Sequence, residues 1–330
     1  MSPVPSLQLE FVPCGVCGTD NWHPYASGKD YEYETSGTVF QMVCCQECGN
    51  VYLNPRPVEA ELSRIYPPNY YAYNYDKAVH PIALQAKAWL DLGKVKSWVA
   101  PFPKKRALRV LDVGCGNGRY LTMLHRLGLA KHQLFGVEMD EEAIDRLNRE
   151  GYQGFYGRLE DVARELPDNY FDVIVMLQVL EHVANPAWTV RCLAKLLRPG
   201  GQLVLETPNR EGWDARLFRQ GFWGGYHFPR HWNLFDRSTL TRLANDAGLD
   251  VRQFAALPSH AFWILSYHHW LLEGCQQTRL ASVFNPLQNV VLLSLFTGFD
   301  LFRAKLGFWT SNVQLVAVKP RGSSPQAWLD

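Results

Sequence analysis

Val110-Leu111-Asp112-Val113-Gly114-Cys115-Gly116-Asn117-Gly118 is the stretch whose reading decides the fold. An apolar run ends in an acid, alternating glycines follow, and a helix-like segment opens at Arg119. That order describes a strand feeding a tight turn at the mouth of a doubly wound α/β sheet, where such folds hold a nucleotide-like cofactor. Asp112 narrows the ligand: its carboxylate repels a pyrophosphate but suits a group with an amino function and a positive centre. The glycine spacing also departs from the dinucleotide fingerprint, which calls for Gly or Ala where this chain has Arg119.

Further segments follow in order. Leu134-Phe135-Gly136-Val137-Glu138 reads as a second strand ending in an acid, at the offset of about twenty residues expected for a ribose-binding carboxylate. Gly154 to Gly157 reads as a third strand and Phe171 to Leu177 as a fourth, followed by Gln178-Val179-Leu180-Glu181-His182-Val183. Leu197-Arg198-Pro199-Gly200-Gly201 leads into a fifth, Gln202 to Thr207. Taken together these motifs resemble the class I S-adenosylmethionine-dependent methyltransferases. The resemblance implies a seven-stranded Rossmann-like sheet with its last strand antiparallel. It implies cofactor contacts from Asp112, Gly114, Cys115, Gly116 and Glu138, from Leu159 and Glu160 beside the adenine, and from Leu177 and Gln178 through backbone carbonyls. Asp161 has the alternative role of capping the next helix.

The front of the chain carries Cys14-Gly15-Val16-Cys17 and Cys45-Gln46-Glu47-Cys48, each pair followed by glycine. Two such knuckles fit a closed tetrahedral zinc site, structural because four thiolates leave no open position. The gap of about 27 residues requires an inserted loop. Cys44 in place of Cys45 would give the less suitable C-x-x-x-C spacing. Unrelated buried thiols are the plainer reading, and a redox role is disfavoured because the pairs lie outside any βαβ unit. The run Cys45 to Pro57 resembles the front end of bacterial methyltransferases with a zinc-ribbon module, some of which act on nucleotide-linked sugars or other glycan precursors. The tyrosine-rich segment Tyr66 to Tyr75 reads equally as an interdomain packing surface or as a wall of the substrate site.

Composition sets the outer bounds. The chain has 330 residues, 47% apolar and 20% charged, with a formal net charge of +1. No global basic field attracts a polyanion, so nucleic acid is not expected as the partner. Met1 to Glu10 lack a basic start followed by an apolar run, so no secretory signal is expected. Eight cysteines then indicate a reducing, cytoplasmic setting. The expected organisation is a zinc-ribbon-like module over 1–58, a linker and helical lid region over 59–106, and the cofactor-binding domain over 107–330. Within the lid region a helix is expected from Ile82 to Val99, ended by Pro101-Phe102-Pro103.

A base is needed only where the methyl acceptor must lose a proton. The place to look is Tyr226-His227-Phe228-Pro229-Arg230-His231-Trp232, after the fifth strand, where open α/β sheets gather substrate groups. This run resembles a segment of sugar C-methyltransferases in which a histidine, matching His231, is the base. Arg230 departs from the acid found there, which disfavours carbon methylation and permits an anionic substrate. His227 is the second catalytic candidate and His182 a weaker one; histidine's titration near neutrality suits the role. The plainer reading is a packed loop whose histidines bond backbone groups.

Val251 to Ala256 and Asn312 to Lys319 read as the closing antiparallel pair. Between them lies an insertion of roughly fifty residues, at about 257–310, far above hairpin length. Its uncharged stretches, 253–272 and 281–299, are broken by Pro258, His260, His268, His269, Asn285, Pro286, Gln288 and Asn289, so a bilayer span is not expected. A helical hairpin over the cleft, a packed lid or dimer contact, and a surface resting on a membrane beside a lipid-linked substrate all suit Trp263, Trp270 and Trp309. The expected activity is methyl transfer from S-adenosylmethionine to a small molecule, such as a sugar or a glycan or lipid-linked precursor. An NAD-dependent dehydrogenase or epimerase is the first alternative, opposed by Asp112 and the missing third glycine. A non-catalytic zinc-ribbon binding protein is the second. The sequence sets neither the acceptor atom nor the oligomeric state.

Overall fold

The computed structural model describes residues 6–68, 70, 81–103, 107–284 and 289–322. Most of the 66–75 tyrosine segment and the breakers Asn285, Pro286 and Gln288 lie outside these residues.

Thirteen strands are named here in chain order. β1 (Leu9–Glu10), β2 (Trp22–Gly28), β3 (Phe40–Cys45), β4 (Val51–Leu53) and β5 (Arg56–Pro57) belong to the N-terminal region. β6 (Val110–Val113), β7 (Leu134–Glu138), β8 (Gln153–Tyr156), β9 (Phe171–Leu177) and β10 (Leu197–Pro208) follow. The last three are β11 (Asn233–Leu234), β12 (Asp250–Leu257) and β13 (Asn312–Val318). The large sheet has the order β12-β13-β10-β9-β6-β7-β8. β6 through β10 pair in parallel, and β13 runs antiparallel to both β10 and β12. This is the seven-stranded methyltransferase arrangement expected from the motifs. The central strands are apolar on both faces, as buried parallel strands must be: β6 is buried throughout, and β9 along all but its last residue.

β10 begins at Leu197, five positions before the expected Gln202, because Leu197 already pairs with Phe171. A register shift follows, with Gly200 at φ +79°, a backbone state that favours glycine. Helices on the two faces start where short polar side chains cap them: Asp140 accepts from Ala143 N at 3.2 Å, and Asn185 from Trp188 N at 2.9 Å.

A second sheet has the order β11-β4-β3-β2. Its outer strand β11 comes from the segment just after the histidine run, with Asn233 opposite Tyr52 and Leu234 opposite Val51. Cys14, Val43, Cys45 and Tyr52 share one buried apolar cluster with Leu111, Ile174 and Leu205 of the large sheet. Each fully buried aliphatic side chain there contributes roughly 1.5–3 kcal/mol. The front of the chain is therefore bonded into the catalytic layer by both backbone pairing and core packing.

The insertion forms a helical hairpin. Its inner helix is His260–His269, continued by one wider turn at Trp270–Gly274, and its outer helix is Val290–Lys305. Buried Asp300 locks the base, accepting from Ser259 N at 2.7 Å, Ser259 Oγ at 2.8 Å and Trp263 Nε1 at 3.1 Å. The inner helix supports the turn Gly224–Tyr226, with Gly224 N donating to Ser266 Oγ at 2.8 Å. Among the described residues, no helix is long and apolar enough to cross a membrane.

Candidate active site

The parallel strands end on one edge of the sheet, and the expected cofactor residues lie along it. The turn after β6 uses three glycines with positive φ: Gly114 at +77°, Gly116 at +53° and Gly118 at +76°. At Gly114 a Cβ would collide with Val179 Cγ2, and at Gly118 with Leu147 Cδ2. Val179 belongs to the post-β9 segment, so Gly114 lets that segment close over the loop. Gly116 has nothing within 4 Å on its Cβ side and leaves open space. Glu138, at the end of β7, accepts from Gly116 N at 2.8 Å and Met139 N at 2.7 Å.

Asp112 is buried, and its Oδ2 has no hydrogen-bond partner among the described residues. Burial first, then the charge of Glu138, pushes its carboxyl up to about 7. A buried, unpartnered carboxyl beside a second acid is costly unless a cation or donor meets it. The open cradle at Gly116 and this orphaned acid therefore fit a ligand bearing an ammonium and a sulfonium centre, as S-adenosylmethionine does.

Cys115 turns its side chain away from the crevice: its Sγ fills the space over Gly136, 2.7 Å from where a Cβ would sit. Only its backbone lines the turn. Leu159 is buried and Glu160 exposed at the start of the Leu159–Val162 helix. Asp161 accepts from Arg158 N at 3.0 Å, the capping role. Leu177 is half-buried at the end of β9. Gln178 has φ +55°, and its Nε2 donates to Asn312 at 2.9 Å. Asn312 donates to Glu206, Glu206 accepts from Lys94 at 3.0 Å, and Lys94 lies 3.4 Å from Asp91. Asp91 also holds Arg119 at 3.1 Å and Lys87 at 2.6 Å. Burial would raise the Asp91 carboxyl, but Lys87, Lys94 and Arg119 hold it below the usual range. The Pro81–Val99 helix is thereby tied to the residue that follows the glycine loop. Nothing in the spacing of the sequence signalled that network.

The histidine candidates meet at the same edge. His231 and His182 have ring centroids 4.7 Å apart, and His231 and His227 4.9 Å. His231 Nδ1–H donates to the Gly225 carbonyl at 2.8 Å, which leaves its Nε2 as the unprotonated nitrogen. His182 Nδ1 lies between the Tyr66 hydroxyl at 2.9 Å and the Arg230 carbonyl at 3.0 Å. Burial, with the neighbouring imidazoles and Arg230 adding, holds His231 well below its ordinary value and His182 down at about 3. Both are neutral at physiological pH. Donor atoms of Glu181, His182 and His231 lie within 4.8 Å of one another, a set suited to proton transfer or to a divalent cation. His227 is engaged otherwise: its Nδ1 lies 2.6 Å from Glu32 and its Nε2 3.4 Å from the Tyr70 hydroxyl.

Arg230 does not face outward to receive an anion. It is fully buried in a bidentate pair with Asp30, at 3.0 and 2.9 Å, and lies over the Tyr33 ring at 4.4 Å. Burial would raise Asp30, but the hydrogen bonds and charge of Arg230 keep it below the usual range. Asp30 and Glu32 come from the loop between β2 and β3, and Asp30 is 200 positions from its partner. Sequence reasoning missed both. Acids alternating with tyrosines in Asp30-Tyr31-Glu32-Tyr33 were the one local sign that this loop faces a functional layer.

The four paired cysteines also come together. Cys14 Sγ and Cys48 Sγ are 3.5 Å apart, as are Cys17 Sγ and Cys45 Sγ, and all four lie within 4.8 Å of one another. Gly18 at φ +77° and Gly49 at +73° turn each knuckle, with their N–H groups donating to Cys14 O at 2.8 Å and Cys45 O at 3.0 Å. Cys44 stands outside this cluster, near the Gly49 carbonyl. The arrangement is a zinc-ribbon-like module of four cysteines whose donors would hold a tetrahedral zinc ion.

Fold and site together define a class I S-adenosylmethionine-dependent methyltransferase. Residues 83–253 match the family described as Methyltransferase domain, and the chain belongs to that family. It is similar to the ubiquinone biosynthesis O-methyltransferase of Aeromonas salmonicida (strain A449), 36% identical over 163 residues, covering 45% of this chain and 66% of that one. The enzyme of the same name from Pseudomonas savastanoi pv. phaseolicola (strain 1448A / Race 6) is 35% identical over 163 residues, covering 45% and 67%. Among solved structures, a SAM-dependent methyltransferase from Archaeoglobus fulgidus superposes with a TM-score of 0.44 at 17% identity, covering 70% of this chain and 94% of that one.

Two outcomes follow from these electrostatics. Folding raises the Asp112 carboxyl from 3.8 to about 7, so the native state holds this proton more tightly than the unfolded chain does. Wild-type stability is therefore lost as pH rises from about 4 through 7, and Asp112→Asn lacks that loss. Denaturant titrations should show the variant's relative stability growing across that window, while its S-adenosylmethionine affinity falls at least about ten-fold. Second, Asp30→Asn should cost about 3–5 kcal/mol by stranding a buried guanidinium. The Asp30→Ala/Arg230→Met pair should cost less than the sum of its single changes.

Proposed function

We propose that this chain methylates a hydroxyl oxygen of a small-molecule acceptor, with His231 as the general base. The observation that carries the reading is the neutral His231 imidazole, its Nδ1–H held by the Gly225 carbonyl and its Nε2 without a hydrogen bond among the described residues. S-adenosylmethionine, when bound, would offer an electrophilic methyl carbon on a sulfonium centre, with a neutral thioether as the leaving group. Asp112 and Glu138 hold its cationic and ribose parts, Gly114 and Gly116 admit its backbone-facing end, and Leu159 with Glu160 flanks the adenine. Leu177 and Gln178 line the methionine side. As the acceptor oxygen bonds to the methyl carbon its proton becomes strongly acidic. An imidazole that rests unprotonated at neutral pH is then a sufficient base, and His231 Nε2 takes that proton. His227, set between Glu32 and Tyr70, orients the acceptor side of the pocket.

Oxygen as the acceptor atom is favoured by the similar O-methyltransferases. The sugar or glycan-precursor class is favoured by the resemblance of the Cys45–Pro57 run. With Arg230 neutralised by Asp30, a neutral hydroxylated acceptor suits the site better than an anion. Thioether release should be screened against free sugars, nucleotide-linked sugars and phenols, with the methylated atom located by NMR; a C-methyl product would overturn the oxygen reading.

His231→Gln should lower kcat by about 10²–10⁴-fold while leaving S-adenosylmethionine affinity within about two-fold. Because the His231 pKa is depressed, wild-type kcat/KM should stay level from pH 8 to below 6.5, and a limb at or above 6.5 assigned to this residue would contradict the role. Activity lost to EDTA and restored by magnesium or manganese would instead assign Glu181, His182 and His231 to a divalent cation.

We also infer that Cys14, Cys17, Cys45 and Cys48 bind one structural zinc. Stripping it under reducing conditions should lower both thermal stability and turnover, because β4 carries the partner of β11 and hence the histidine loop. Less than about half an equivalent of zinc in freshly purified protein would count against the site.

A further inference from the structure

The outer helix of the hairpin leaves one face uncovered. Val291, Leu295, Phe302 and Leu306 recur at helical spacing and are 68%, 63%, 61% and 58% exposed. The face continues onto the Trp213–Leu217 helix, where exposed Trp213 lies with its ring 5.1 Å from that of Phe308. Contiguous apolar surface of this kind on a soluble chain marks an interaction site.

The exposed charges around that face are mainly basic. The insertion carries two acids, Glu273 and Asp300. Glu273 lies 3.5 Å from Lys29, and Asp300 is buried on Ser259 and Trp263. Arg279 and Lys305 are exposed. The helix that carries Trp213 and Leu217 also carries Arg216, which with Arg219, Arg210 and Glu211 borders a cavity of about 330 Å³; Glu211 is neutralised by Arg237 at 2.9 Å. Arg216 and Arg219 form no ion pair among the described residues. Arg210 bonds Asp236 and the Gly49 carbonyl, and its Nε is buried without a partner among the described residues. An apolar face bordered by the guanidinium groups of Arg216 and Arg219 is complementary to phosphate-bearing lipid headgroups above an acyl layer.

We propose that this face docks on an anionic phospholipid surface. The Val291–Leu306 stripe and Trp213 enter the headgroup boundary, and the arginine-lined cavity beside them takes a lipid phosphate. The docking stands independently of the role given to His231, because its test reads binding and not turnover.

The test is co-sedimentation of the full chain with vesicles of phosphatidylcholine, alone or mixed with phosphatidylglycerol. Binding to the anionic vesicles should be at least about ten-fold stronger and should weaken with salt. Leu295→Asp/Phe302→Asp should abolish binding to both vesicles, and Arg216→Glu/Arg219→Glu should reduce anionic binding to the neutral level. Unchanged S-adenosylmethionine affinity and circular dichroism confirm that these surface variants fold. Three results would overturn the proposal. One is absence of wild-type binding to anionic vesicles, including the case where inorganic phosphate alone binds the arginine cavity. Another is vesicle binding untouched by both variants. The third is light scattering that shows a dimer dissolved by Leu295→Asp/Phe302→Asp, which would assign the face to a second copy of the chain.

Discussion

The buried pair of Arg230 and Asp30 is the constraint on which the active edge depends. Neither side chain is exposed, so each would be prohibitive without the other. Their pairing joins the loop between β2 and β3 to the histidine loop, and it sets Arg230 so that its carbonyl receives the His182 ring. On the same front, Glu32 takes His227. Arg56 lies over the Trp232 ring at 4.4 Å and donates to the Ala184 carbonyl. Leu53 N donates to Trp232 O at 2.9 Å, and Trp232 N to Glu181 O at 2.8 Å. The histidine loop is thus held from both sides, which fixes the orientation of its rings.

This architecture ties the cysteine module to the histidine loop through the small sheet. The four-thiol cluster turns the two knuckles, the knuckles set β3 and β4, and β4 pairs with the strand that ends the histidine loop. Asn50, between cluster and loop, donates to Asn233 at 3.4 Å and approaches Cys14 Sγ at 3.9 Å.

Electrostatics divides the edge into two zones. At one end Asp112 and Glu138 set two acids side by side, while the Asp91 network neutralises the basic residues of the Pro81–Val99 helix. At the other, burial keeps His182 and His231 uncharged, and the strong cation there, Arg230, is matched by Asp30.

Much of this was legible from local pattern. Apolar runs ending in acids, glycines at positive-φ turns and paired cysteine knuckles are short-range signals, because they report backbone geometry within a few residues. They located the strands, the glycine turn after β6 and the four thiols, while the order of the large sheet followed from the resemblance to the methyltransferase family. They gave no access to Asp30, Glu32 or the Asp91 network, since the partners of those groups lie far away in sequence and only a closed fold brings them together. The same limit misdirected the reading of Arg230: as a residue it announces an anion site, whereas burial against Asp30 consumes its charge. Backbone and turn chemistry thus belong to the sequence itself. The protonation states and availability of the catalytic side chains were decided by tertiary structure, because desolvation and long-range pairing exist only once distant segments have packed.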